Sequence, residues 1–151
     1  MKLHVYHHPD TEPLGGAYTS VCIATGSLDI AEDAEVTELV ANDILEYIPL
    51  TQLNEFLAAM ITKLRHGGTM IITGVDSYSV AKDYVAHKLS IEDFNILIHG
   101  YNDSAREGHT DSKCATLALQ GLVSYLKTEF GLKIVRQGLE DYKYMIEVQR
   151  P

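Results

Sequence analysis

The stretch Val40-Ala-Asn-Asp-Ile-Leu-Glu-Tyr-Ile-Pro-Leu50, continued by Leu64-Arg-His-Gly-Gly-Thr-Met-Ile-Ile-Thr-Gly-Val-Asp76, decides the fold of this 151-residue chain. Val36 to Ala41 is a short β-favouring run that ends on the polar pair Asn42-Asp43. From Thr51 the apolar residues fall at Leu53, Phe56, Leu57, Met60, Ile61 and Leu64, the spacing of one helical face. Lys63 and Arg65 follow, where cations suit the negative end of a helix, and Gly67-Gly68 are expected to supply its left-handed stop. Thr69-Met-Ile-Ile-Thr73 then reads as a parallel strand buried on both faces. Strand, helix and strand make a β-α-β unit, and ligands of such sheets sit beyond the carboxyl ends of the strands. Asn42-Asp43 and Gly74-Val75-Asp76 occupy those two ends.

Working outward, Leu3-His-Val-Tyr6 is a first strand that leads into His7-His-Pro-Asp10, and Thr19 to Ala24 is a second. The link between them is too short for an ordinary crossover helix, which needs a dozen or more residues. Beyond Asp76, Val80, Ala81, Tyr84, Val85 and Leu89 keep helical spacing. Ser90 stands as a cap before the face Ile91, Phe94, Leu97 and Ile98. Gly100 to Ser112 is a polar loop, and a long helix is expected from about Lys113 to Phe130, stopped by Gly131. Leu132 to Arg136 reads as a strand. Tyr142, Tyr144, Ile146 and Val148 alternate with Lys143, Met145, Glu147 and Gln149, the pattern of a final antiparallel strand with one wet face. The chain reads as one domain over residues 1–151, without repeat or linker.

Asn42-Asp-Ile-Leu-Glu-Tyr-Ile-Pro49, a helix, Leu64-Arg-His-Gly-Gly68, an apolar strand and Asp76 together resemble the class I S-adenosylmethionine-dependent methyltransferases. Members often carry Leu-Glu-His-Ile/Leu-Pro after the fourth strand and Leu-Lys-Pro-Gly-Gly before the fifth. Tyr47 stands here for the family's histidine and His66 for its proline. Pro13-Leu-Gly-Gly16 and His109 match positions of short members found among sugar and phage genes. The resemblance implies an α/β, Rossmann-like methyltransferase fold with a mostly parallel sheet, an antiparallel final strand, helices on both faces and a truncated N-terminal part. It implies S-adenosylmethionine as cofactor, contacted by His7, His8, Asp29, Asn42, Asp43 and Ile44, with His109 and Tyr47 as catalytic candidates. It further implies methyl transfer to a hydroxyl or amine of a small molecule or sugar.

Two family hallmarks differ. The cofactor loop after the first strand is usually rich in glycine, which lets backbone approach the ligand closely. Here those positions read Tyr6-His-His-Pro9, and proline also removes one N–H donor. The acid expected at the end of the second strand is replaced near Cys22, and Asp29 is the next downstream. A methyltransferase-fold module that binds or assembles without catalysis is therefore the alternative reading.

Composition excludes other classes. A net charge of -9 and a pI near 5.1 argue against a nucleic-acid face, which needs clustered cations. No long apolar span predicts a membrane partner, and Met1-Lys-Leu-His4 lacks the apolar segment of a signal peptide. Cys22 and Cys114 have no metal-ligand spacing and fit a reducing, cytoplasmic compartment. The reading leaves room for a homo-oligomer.

His4, His7, His8 and Asp10 have ligand chemistry for zinc or nickel, but nothing sets a third and fourth donor in place, so no metal is expected. Histidine titrates near neutral pH, which suits His99 or His109 to accept a hydroxyl proton. Tyr47 reads as a polar-tipped pocket wall. Glu46 suits either a ligand amine or the cap of the following helix. Asp76 is expected to cap the helix it precedes.

Overall fold

Period-two alternation builds the sheet. The computed structural model describes residues 1–100 and 112–151. Among these, β1 (Lys2–Tyr6), β2 (Tyr18–Cys22), β3 (Val36–Asn42), β4 (Leu64–Val75), β5 (Lys133–Glu140) and β6 (Lys143–Gln149) form one sheet in the order β2-β1-β3-β4-β6-β5. The β1–β2, β1–β3 and β3–β4 pairs are parallel, while β6 is antiparallel to both β4 and β5. β1 thus starts the chain in mid-sheet, with β2 on one side and β3 on the other. That reversal of direction opens a crevice above the carboxyl ends of β1 and β3.

One face of the sheet carries the core. Opposite residues of paired strands share a face, and the row Leu3, Leu39, Met70 and Val148 is fully buried, as are Val5, Ala41, Ile72 and Ile146 beside it. Helices α1 (Leu53–Lys63) and α4 (Leu119–Phe130) cover this face with Leu53, Leu57 and Met60 from the first and Leu122 and Leu126 from the second. The periodicity from Thr51 anticipates this face of α1, although Leu50–Gln52 forms a 3-10 turn and the α-helix proper starts at Leu53.

Helices were expected on both faces of the sheet. Among the described residues, α1 and α4 pack on the same face, because the β1–β2 link holds no helix and the β2–β3 link holds only the 3-10 turn Leu28–Ile30. α2 (Ser77–Val85) and α3 (Ile91–His99) pack on one another, with the rings of Tyr84 and Phe94 stacked at 4.4 Å.

Two boundaries differ from the sequence reading. Gly67-Gly68 do not stop α1, which passes directly into extended backbone at Leu64. They sit in β4, where the register moves from Val36↔Leu64 to Glu38↔Thr69, two residues on β3 against five on β4. The extra residues turn at Gly67, whose φ is +76°, and Arg150 clamps them, accepting from Gly67 N–H at 2.8 Å and donating to Gly68 at 2.9 Å. The helix expected from Lys113 begins only at Leu119. The preceding backbone is spent on other partners, since the amides of Cys114 and Ala115 donate to the Glu46 carbonyl at 2.6 and 3.0 Å. Ser90 caps α3 as expected, accepting from Asp93 N–H at 3.1 Å.

Asp76 is 3% exposed and caps α2, with its carboxylate accepting from Ser79 N–H at 3.0 Å. No helix among the described residues is long and apolar enough to cross a membrane.

Candidate functional site

Four strand ends meet at one cavity of about 540 Å³, lined by His7, His8, Thr11, Asn42, Asp43, Tyr47, Thr73 and Lys143. β1 delivers His7 and His8, β3 delivers Asn42 and Asp43, and β4 delivers Thr73 shortly before its end at Val75. β6 brings Lys143 across because its register sets Lys143 opposite Val75. The 3-10 turn Leu45–Tyr47 then folds Tyr47 back toward the opening. This is the crevice that the strand order creates.

Hydrogen bonds fix its floor. Asp43 holds a left-handed φ of 50°, a conformation that aspartate tolerates better than most residues. Its N–H donates to the Thr73 carbonyl at 3.1 Å, which ties the β3 exit to β4. The Thr73 hydroxyl lies 3.4 Å from Asn42 Oδ1 and 3.3 Å from Asp43 Oδ1. Lys143 Nζ donates to Asp43 Oδ2 at 2.7 Å, and both side chains are about half exposed, so a ligand can compete for either charge. On the opposite wall the His7 and Tyr47 rings stack with centroids 4.2 Å apart and planes 8° from parallel.

His4 supports this wall from below. It is fully buried on the sheet face opposite the core; Nδ1 accepts from Leu14 N–H at 3.3 Å and Nε2 lies 3.2 Å from the Asn42 side-chain amide. Burial lowers its pKa and so favours the neutral ring, which spaces the β1–β2 loop from Asn42. Among the described residues no group of three histidine, cysteine or acidic side chains is disposed to hold a metal ion.

A second polar cluster lies under the turn. Glu46 is 2% exposed, and Val75 N–H donates to its Oε1 at 2.6 Å. Burial raises its pKa above the usual carboxylate range, and the bond from Val75 and the charge of Lys113 only partly offset that. Burial also pushes the Tyr144 phenol up and Lys113 down. Among the described residues, Glu46 Oε2 and the Tyr144 hydroxyl have no hydrogen-bond partner.

The structure brings together His7, His8, Asn42, Asp43 and Tyr47 of the residues picked out from sequence. Ile44 is fully buried in the core and does not line the cavity. Asp29 is also elsewhere: the backbone turns back at once after β2, with Gly26 N–H donating to Cys22 at 2.7 Å, and carries Asp29 to the α1 side. There it lines a separate cavity of about 490 Å³ with Phe56 and Lys63. Asp76 caps α2, as expected. His99 ends α3 and is exposed. His109 lies outside the described residues. Thr11, Thr73 and Lys143 were not foreseen as lining residues. Thr73 ends a run already read as a strand, whereas Lys143 reaches the site only through the β4–β6 register, which no local pattern encodes.

The fold has many solved counterparts. A SAM-dependent methyltransferase from Methanosarcina mazei superposes with a TM-score of 0.60 at 14% identity, over 98% of this chain and 81% of that one. The chain has the fold of the S-adenosylmethionine-dependent methyltransferases. An O-methyltransferase family protein from Burkholderia thailandensis shares this methyltransferase fold at 11% identity, with a TM-score of 0.52 over 88% of this chain. The N-methyltransferase NodS from Bradyrhizobium japonicum, in complex with S-adenosyl-L-homocysteine, shares it at 14% identity, with a TM-score of 0.51 over 91%. The chain spans 36% of the length of the Burkholderia protein and 56% of NodS. No protein-family model and no curated protein matches the methyltransferase-fold chain by sequence.

Proposed function

We propose that the chain binds S-adenosylmethionine in the crevice between β1 and β3 and transfers its methyl group to a hydroxyl or amine of a small molecule or sugar. The observation that carries this reading is the single cavity formed by His7, His8, Asn42, Asp43 and Tyr47 at the reversal point of a methyltransferase-type sheet. The residues present fit the cofactor in size and charge. A volume of about 540 Å³ lies within the range of small-molecule sites, about 300–1,000 Å³. Asp43 and Lys143 offer opposite charges to the ammonium and carboxylate of the cofactor's amino-acid end. The flat wall of His7 and Tyr47 suits a stacked adenine. Asn42, with its amide at the cavity, is the group left for the ribose, since Asp29 faces another cavity.

When bound, the cofactor supplies a methyl group activated by its sulfonium. The chain's own task is then to hold the acceptor in line and exclude water, which needs no dedicated nucleophile. Tyr47 forms the wall beside the acceptor, and His109 is proposed to accept its proton.

A second reading keeps the fold and the binding but not the turnover. It is favoured by the His7–Tyr47 stack, in which the His7 ring stands where the family has glycine. Formation of S-adenosylhomocysteine from S-adenosylmethionine, measured over a panel of hydroxyl and amine acceptors, separates the two. Turnover that His109→Ala abolishes supports the enzyme. Binding without turnover on any acceptor supports the module.

A further inference from the structure

His4 is fully buried, and β1 turns it to the face opposite Leu3 and Val5, which lie in the core. A buried imidazole must find partners for both of its nitrogens. The register supplies them. Ser20 of β2 lies directly opposite, and Asn42 stands two residues beyond Val40, the partner of His4 on β3. The 7–17 link adds the amide of Leu14. His4 Nδ1 is 3.3 Å from that amide nitrogen and 3.2 Å from Ser20 Oγ, while Nε2 is 3.2 Å from Asn42 Nδ2.

The protons follow by elimination. A backbone N–H only donates, so Leu14 requires an unprotonated Nδ1, and the ring carries its one proton on Nε2. Nε2–H then needs an acceptor, and of the two ends of the Asn42 amide only the oxygen accepts. The amide is therefore turned over, with its oxygen on His4 and its nitrogen on Thr73, because hydrogen bonds alone tell its two ends apart. Every group then has a partner. The end of the amide 3.4 Å from Thr73 Oγ1 becomes the donor. The Thr73 hydroxyl gives its one proton to Asp43 Oδ1 at 3.3 Å, and Lys143 donates to Asp43 Oδ2 at 2.7 Å. In the opposite arrangement the Thr73 proton faces two acceptors, and Nδ1–H meets the Leu14 N–H donor to donor.

We propose that His4 is a positioning residue of the crevice: as the Nε2–H tautomer it fixes the turn of Asn42, which then offers a ligand an N–H donor beside the Asp43 acceptor. The amide nitrogen carries a second proton that neither His4 nor Thr73 takes, on a residue that lines the cavity. A ligand oxygen or ring nitrogen with a free lone pair suits that donor. The ligand arm of this proposal rests on the crevice being a cofactor site; the tautomer does not.

Proton–nitrogen correlation spectra of the nitrogen-labelled imidazoles, recorded on the unliganded chain at neutral pH, show directly which His4 nitrogen is protonated. The expected spectrum is a neutral ring protonated on Nε2. His4→Leu removes the donor to Asn42, and His4→Gln restores one, because a glutamine amide donates from nearly the same place. In calorimetric titration, His4→Leu should bind S-adenosylmethionine about 5-fold or more weakly than wild type, the loss of about one oriented hydrogen bond, and His4→Gln should recover most of it. A ring protonated on Nδ1, or on both nitrogens, overturns the proposal, as does a folded His4→Gln that binds no better than His4→Leu. A wild type that binds no cofactor sinks the cofactor site; the spectrum of the unliganded chain, which needs no variant to fold, still decides the tautomer.

Discussion

The Asp76 carboxylate accepts a 2.7 Å hydrogen bond from the backbone N–H of Leu119, 43 residues further along the chain. The same carboxylate accepts from Ser79 N–H at 3.0 Å, so one buried acid caps α2 and receives the first amide of α4. Ser77 N–H donates to the Leu117 carbonyl at 2.9 Å beside it. The end of β4 is thereby tied to the helix that covers β6.

Asp76→Ala should cost about 2–3 kcal/mol, more than a single cap, because two buried amides lose a charged acceptor. Burial alone would raise the Asp76 pKa, but the bonds from Ser79 and Leu119 outweigh it and hold the group below the usual carboxylate range. A depressed acid stabilises the fold above its unfolded pKa of about 4, and that contribution is lost as pH falls through the lower folded value. Urea midpoints of wild type and Asp76→Ala should therefore converge in acid and differ most at neutral pH.

Glu46 carries the opposite sign. Its raised pKa means that ionisation is easier in the unfolded chain. Its presence therefore destabilises increasingly as pH rises from about 4, the unfolded value, to the folded one. Glu46→Gln keeps an acceptor for Val75 N–H and removes the charge. The variant should match wild type near pH 4 and exceed it in thermal midpoint at pH 8.

Gly74→Ala tests the packing of the same cluster. A Cβ there would run into Glu46 Oε1 and the Tyr144 hydroxyl, and Glu46 is held in place by its bond to Val75. Overpacking of this kind costs about 1–3 kcal/mol. The loss should appear as a lower denaturant midpoint with an unchanged slope.

Leu57 is fully buried between α1 and the sheet. Leu57→Ala should cost about 2–5 kcal/mol through lost transfer energy and the cavity it leaves. An unchanged denaturant midpoint would mean that this face of α1 does not carry the core.

The β-α-β unit was legible because its two periods are strong and local: Leu53, Leu57 and Met60 at helical spacing, and Met70 and Ile72 in an apolar run. The final strand was legible from Tyr144, Ile146 and Val148, all fully buried. What sequence could not reach depended on partners distant in the chain. Gly67-Gly68 look like a helix stop until Arg150 is seen to clamp them inside β4. Residues 113–118 read as the start of a long helix, but the amides of Cys114 and Ala115 are claimed by the Glu46 carbonyl. The one-sided helical layer follows from the short links around β2, which leave no room for a helix on the opposite face. At the site, His7, His8, Asn42 and Asp43 follow directly from strand ends. Asp29 lines a different cavity because the turn after Cys22 redirects the chain within four residues, a backbone event with no side-chain signature.

Calorimetric titration with S-adenosylmethionine and S-adenosylhomocysteine decides whether the crevice holds the cofactor. Both should bind the wild-type chain saturably and one-to-one, weakened at least ~10-fold, about 1.4 kcal/mol, by Asp43→Ala and by Asn42→Ala, with Asp29→Ala unchanged. No binding heat and no rise in thermal midpoint with either ligand would contradict it, as would a loss of affinity in Asp29→Ala with Asp43→Ala intact.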